Sequence, residues 1–166
     1  MIKELTKLND LLSELYGRAI VELLEDADSK AYAGFNFKLG GQAFKFRKSK
    51  QTPKKAGQFV VLWKRNEARV SVPFDIRDHF DFVIIWSEGK ERSGFFLFPK
   101  NKLASQQVLS VKENEGKRGF RLYPDWVIPP NKLAERTKAW QAPYFIDFDN
   151  DRAKNLEAVK SILSEG

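Results

Sequence analysis

The chain has 166 residues, 42% of them hydrophobic and 31% charged, a balance that supports one folded domain with a sizeable core and excludes a disordered chain. Its formal net charge is +7 and it has no cysteine, so disulfide frameworks, thiolate zinc sites and thiol catalysis are excluded. No stretch approaches the ~20 apolar residues of a membrane helix, and the N-terminal segment carries acids inside its apolar pattern, unlike a signal peptide. The expected location is the cytoplasm, with no membrane partner.

Ile2, Leu5, Leu8, Leu11, Leu12 and Leu15 recur at helical spacing with Glu4, Lys7, Asp10 and Glu14 between them, which predicts an amphipathic helix. Ile20, Val21, Leu23 and Leu24 extend the apolar pattern past Gly17, so the helix is expected to run, broken or kinked, to about Glu25. From Tyr32 the period becomes two. Phe35 and Phe37 alternate with Asn36 and Lys38, Gly40-Gly41 signals a tight turn, and Phe44 and Phe46 alternate with Lys45 and Arg47. A hairpin is expected, with phenylalanines on one face and cations turned outward on the other. A polar loop from Ser49 to Gly57 leads into Gln58 to Trp63, an apolar run expected to form a central strand with Trp63 packed.

Phe82 to Trp86 and Gly94 to Phe98 read as the next strands, separated by a charged turn. Asn101 to Gln107 suits one or two helical turns, and Phe120 to Tyr123 a further strand. Pro129-Pro130 precedes a helix from about Asn131 to Trp140. A C-terminal helix is expected from Asn150 to Ser164, capped by Asn150 or Asp149, with Leu156, Val159, Ile162 and Leu163 inward. No internal repeat or linker is visible. The fold expected is α+β: one domain over 1–166, with a mixed or antiparallel sheet of about five to seven strands and flanking helices.

Charge is unevenly distributed. No Asp or Glu occurs from Ser29 to Asn66, whereas Lys30, Lys38, Lys45, Arg47, Lys48, Lys50, Lys54, Lys55, Lys64 and Arg65 supply 10 positive charges there. The remainder carries 19 basic and 22 acidic residues. An uninterrupted cationic segment on a sheet and loop suits phosphates spaced along a strand, with the Thr52 hydroxyl as an added donor. The plain alternative is a solvated face that keeps the protein soluble. Lys117, Arg118 and Arg121 form a second group beside Tyr123 and Trp126, able either to grip a backbone or to edge a core strand. Trp140, Tyr144 and Phe145 read as core. His79 lacks an evident nucleophile beside it and reads as a loop histidine. There is no phosphate-binding glycine loop.

The stretch from Phe46 to Arg65 resembles the signature of the MepB-like family. Four further pieces follow in the family's order: Pro73-Phe74-Asp75, Gly94 to Lys100, Gly116 to Pro124, and Thr137 to Gln141. The resemblance covers roughly residues 31 to 145. It implies a small bacterial cytoplasmic protein with a restriction-endonuclease-like fold and nucleic acid, expected to be DNA, as the partner. Nucleases of that fold hold a divalent metal with an Asp and a second acid, and place a Lys beside the attacking water. Here Asp81 precedes one strand and Lys100 follows Phe98-Pro99, so Phe98 stands where the second acid belongs. Glu22 or Glu25, expected on the N-terminal helix, could add a ligand.

Binding without catalysis is therefore the expected function, with no cofactor. The residues expected at the interface are Lys45, Arg47, Lys48, Lys50, Thr52, Lys54, Lys55, Lys64, Arg65, Lys100, Lys117, Arg118 and Arg121. A magnesium-dependent endonuclease built on Asp81, Lys100 and Glu22 is the alternative. A module binding an acidic protein is a third reading.

Overall fold

The computed structural model describes residues 1–166. Helix α1, Lys3–Tyr16, buries Leu5, Leu8, Leu11 and Leu12 along the stripe that the spacing predicts. It stops at Gly17, whose φ of 66° makes a left-handed cap with its N–H on the Ser13 carbonyl. The apolar pattern beyond it does not continue as helix: β1, Val21–Glu25, is an edge strand antiparallel to β2, Phe35–Leu39. Glycine ends the helix, and the β-branched pair Ile20-Val21 suits the extended chain that follows. A 3-10 turn, Ala27–Tyr32, connects β1 and β2.

The hairpin of β2 with β3, Gln42–Lys48, turns at Gly40 and Gly41, both at positive φ, with Phe37 opposite Phe44 and Phe35 opposite Phe46. Next to β3 lies β8, Phe82–Gly89, in parallel; then β9, Arg92–Pro99, and β11, Phe145–Asp147, both antiparallel to their neighbours. The main sheet has six strands in the order β1-β2-β3-β8-β9-β11. The connection from β3 to β8 supplies four short strands, and with a fifth that follows β9 in the chain these build two smaller sheets. One holds β4, Lys50–Gln51, β5, Gln58–Val61, and β10, Gly119–Leu122, in the order β10-β5-β4. The other pairs β6, Trp63–Arg65, with β7, Ser71–Pro73. The run Gln58 to Trp63 is therefore split between two small sheets instead of entering the main one. The break falls at Leu62, whose N–H bonds the Arg118 carbonyl.

The main sheet is covered on both faces. One carries Phe44, Phe46, Phe82, Trp86 and Phe95. It lies under α1 and under α4, Arg152–Leu163, which contacts α1. Lys7 of α1 sits 4.2 Å from the ring of Phe148, which in turn packs on Trp86 and Phe95. The N-cap of α4 is Asp151, whose carboxylate accepts the Lys154 N–H at 2.8 Å, and not Asn150 or Asp149 as expected. The opposite face carries Phe96 and Phe98. Phe98 meets Phe120 of β10, Tyr144, and Trp140 of α3, Lys132–Gln141. Helix α2, Lys100–Ser105, follows β9 directly. One cluster of 31 buried hydrophobic residues unites both faces. The architecture is α+β with a mixed sheet and flanking helices.

Candidate nucleic-acid interface

The second layer changes the fate of the cationic segment. Side chains alternate along β3, so the phenylalanines face α1 and α4 while Lys45 and Arg47 face the small sheets and turns. They are covered there, not turned to solvent. Arg47 is 0% exposed and its guanidinium bonds the Asp26 carboxylate at 2.7 Å and the Phe46 carbonyl at 2.9 Å. Lys45 lies 4.4 Å from the Phe74 ring centroid and donates to the Asn36 amide oxygen at 3.0 Å. Burial, reinforced by the nearby Arg47 charge, lowers the Lys45 pKa to about 8.

Acids from outside the segment neutralise much of the rest. Lys48, on the α1 side of the sheet, meets Glu4 at 3.0 Å and Glu88 at 3.1 Å. Burial pushes the Glu88 carboxyl up, but the Lys48 ammonium outweighs it and holds the group below its ordinary range. Lys64 pairs with Asp78, Arg65 with Asp28 and Lys38 with Glu22. Five of the ten cations thus have acidic partners, distributed over both sides of the main sheet. The expectation that the whole segment forms one uncompensated face is corrected. Arg47 is fully buried, Lys45 is largely covered, and Lys48, Lys64 and Arg65 sit partly exposed in ion pairs.

Lys54 and Lys55 stay exposed and without acidic partners, in the turn between β4 and β5. That turn is fastened from β10. Arg121 Nη2 donates to the Thr52 hydroxyl at 2.5 Å and to the Ala56 carbonyl at 3.1 Å. Gly57 closes it at φ 82°, where a side chain would come within 2.7 Å of the Leu122 carbonyl oxygen. Across this small sheet Lys50, Phe59 and Arg121 stand in register on adjacent strands. Lys50 also lies 4.5 Å from the Tyr32 ring centroid.

Arg121 lines a groove of about 620 Å³ between β10 and α3. On the strand side it is bounded by Lys117, Gly119, Arg121 and Phe59, and on the helix side by Leu133, Arg136, Thr137 and Trp140. No Asp or Glu lines it. The period of two in Lys117, Gly119 and Arg121 turns these positions outward while Phe120 and Leu122 enter the core. The spacing of Leu133, Arg136, Thr137 and Trp140 places them on one helix face. The Asn131 side chain caps that helix through the Ala134 N–H at 2.9 Å. Arg118 points elsewhere, to the Ser71 carbonyl and Glu115, so the expected Lys117, Arg118 and Arg121 group is divided. Tyr123 is largely buried but reaches the lining of the groove, whereas Trp126 packs against Arg92 and Phe145, away from that group.

Phe59, Leu133, Arg136 and Trp140 are absent from the expected interface. The helical spacing of the last three was visible, but nothing in the sequence says that β10 lies opposite them.

The nuclease-type residues are placed as follows. Asp81 Oδ2 accepts the Ala43 N–H at 2.8 Å, and the Asp81 carbonyl accepts the Lys100 N–H at 3.0 Å. Lys100 Nζ donates to the Asp78 carbonyl and lies 4.9 Å from the Phe80 ring centroid. Glu22 and Glu25 are on β1, not on a helix, and Glu22 pairs with Lys38 at 3.4 Å. Phe98 is 0% exposed. Asp81 and Lys100 are therefore neighbours, but no group of three or more His, Asp or Glu side chains comes together where it could hold a metal ion. His79 is exposed, as expected. No helix is long and apolar enough to cross a membrane.

Fold and groove together define an α+β protein with a mixed six-stranded sheet and a cation-lined groove between a small sheet and a helix. The profile of the MepB-like family matches residues 26–147, and the chain belongs to that family. It is also similar to a solved crystal structure of MepB, with 31% sequence identity, a TM-score of 0.78, and coverage of 91% of this chain and 100% of that one. No curated protein matches the sequence.

Proposed function

We propose that the protein binds nucleic acid, DNA in the first instance, through the groove between β10 and α3 and the lysine turn fastened to it. The observation that supports this reading is the charge of the groove. Lys117, Arg121 and Arg136 line it without an acid, and Lys54 and Lys55 stand on the turn that Arg121 holds. Elsewhere the fold pairs many of its cations with carboxylates, as at Arg47, Lys48 and Lys64. Cations without acidic partners are the ones free to replace counterions on a polyphosphate. Such a partner would be met in the cytoplasm, the location that the family resemblance implies.

The finer reading, a restriction-endonuclease-like core, rests on the adjacency of Asp81 and Lys100. Phe98 in place of a second acid argues for binding without cleavage. The test is an electrophoretic shift of DNA at low and moderate salt. Lys54→Glu, Lys55→Glu and Arg136→Glu combined should abolish the shift, and Arg152→Glu on the α4 surface should leave it intact. A shift that survives the triple change would refute the assignment of the groove.

A further inference from the structure

We infer that the groove accepts a single strand with its bases unstacked, in preference to a duplex. This rests on the nucleic-acid reading above and deepens it. A duplex presents its phosphates outside and keeps the faces of its bases stacked, so a duplex-backbone site needs cations but no aromatic floor. A single strand offers the faces of its bases, and proteins that hold it pair a cationic track with rings on which bases stack.

The groove has both components. Phe59 and Trp140 enter its lining from opposite sides and are only half-buried. Phe59 lies across β10 because residue 119 is glycine: a Cβ there would come within 2.6 Å of the ring's Cζ. Leu133 is 67% exposed at the helix rim, an apolar surface that solvent does not favour but a base face would cover. Cations flank these apolar groups, with Lys117 and Arg121 on the strand side and Arg136 on the helix side. Arg121 is fixed in place through Nη2, and its buried Nε finds no partner within the protein.

The groove is also roomy enough for one base: its volume of about 620 Å³ falls within the usual range of small-molecule sites, about 300–1,000 Å³. A base lodged between Phe59 and Trp140 with its phosphates near Lys117 and Arg136 would use each of these features.

The experiment compares fluorescently labelled oligothymidylate with a hairpin duplex of equal phosphate number, measured by anisotropy at one salt concentration. The single strand should bind at least about tenfold more tightly, and Phe59→Leu, which keeps the apolar contact with Gly119, should remove about tenfold of that affinity. Quenching of tryptophan emission by the oligomer should disappear in Trp140→Phe, a change that retains the contact with Phe98. Equal or tighter duplex binding, or single-strand binding indifferent to Phe59→Leu and Trp140→Phe, would overturn this inference while leaving the cationic groove as the nucleic-acid site. Failure of both ligands to bind would overturn the nucleic-acid reading with it.

Discussion

Arg47 Nη2 lies 2.7 Å from Asp26 Oδ2, and the arginine side chain is wholly shielded from solvent. The pair joins β3 to the start of the 3-10 turn, just beside Gly34, where a Cβ would meet the guanidinium at 3.1 Å. Burial pulls the Arg47 pKa down and the Asp26 carboxylate opposes it. An arginine that is deep, paired and packed under a second layer holds the fold together and does not meet a ligand.

Removing only the acid should therefore be severe. Asp26→Ala leaves a buried guanidinium without its counterion and is expected to cost about 3–5 kcal/mol in urea unfolding. Arg47→Met, which removes the buried charge and keeps much of the volume, should cost clearly less. Neither should alter DNA affinity once folding is complete. A loss of affinity in folded Arg47→Met would return this residue to the interface.

Lys45 gives a pH dependence whose sign is fixed by its surroundings. Its pKa is lowered to about 8 in the folded chain, against the higher ordinary value for lysine in the unfolded chain. Between these values the unfolded chain binds more protons, so this group makes stability rise with pH. Below pH 8 it is charged in both states and its burial penalty is fully felt. Unfolding free energy should increase by up to about 2–3 kcal/mol from pH 8 towards pH 10, and Lys45→Met should flatten that rise. Above pH 10 the effect reverses, because burial holds Tyr16 and Tyr144 above the usual tyrosine range. A flat profile in the unmodified protein would mean that Lys45 is better solvated than its place beside Phe74 implies.

The strands of the main sheet were legible in the sequence to different degrees. Phe35 to Arg47 carries a period of two and a glycine pair, and folds as the hairpin these predict. Phe82 to Trp86 and Gly94 to Phe98 are short apolar runs separated by a charged turn, and they pair as neighbours. Val21 to Glu25 and Phe145 to Asp147 are edge strands whose identity depends on a distant partner, and periodicity did not reveal them. The site failed for a related reason. A local count of lysines and arginines cannot see that Glu4, Asp78 and Glu88 arrive from elements far away in the chain to neutralise Lys48 and Lys64. Nor can it see that Arg136 arrives opposite Arg121.

The clasp between β10 and the lysine turn can be tested directly. Thr52→Val deletes one of the two acceptors of Arg121 Nη2, leaving the Ala56 carbonyl. The turn should open more often, so limited trypsin digestion should cut faster at Lys54 and Lys55. DNA affinity should fall several-fold, with little change in global stability. Arg121→Ala should do both more strongly. Unchanged digestion in both variants would mean that Gly57 and the strand pairing alone hold the turn.

The salt dependence of binding counts the cations that act. Lys54, Lys55, Lys117 and Arg136 are exposed and have no acidic partner. If all four neutralise phosphates, the logarithm of the affinity should fall against the logarithm of salt with a slope of about −3 on a single strand. Arg136→Ala should reduce the magnitude of that slope by about 0.7, because it removes one phosphate contact. Replacing Lys48 should leave the slope unchanged, since Glu4 and Glu88 already engage that ammonium. The two substitutions thus separate cations that meet the ligand from cations that the fold has claimed. A Lys48 variant that flattens the slope as much as Arg136→Ala would place phosphates on the α1 side of the sheet, away from the groove.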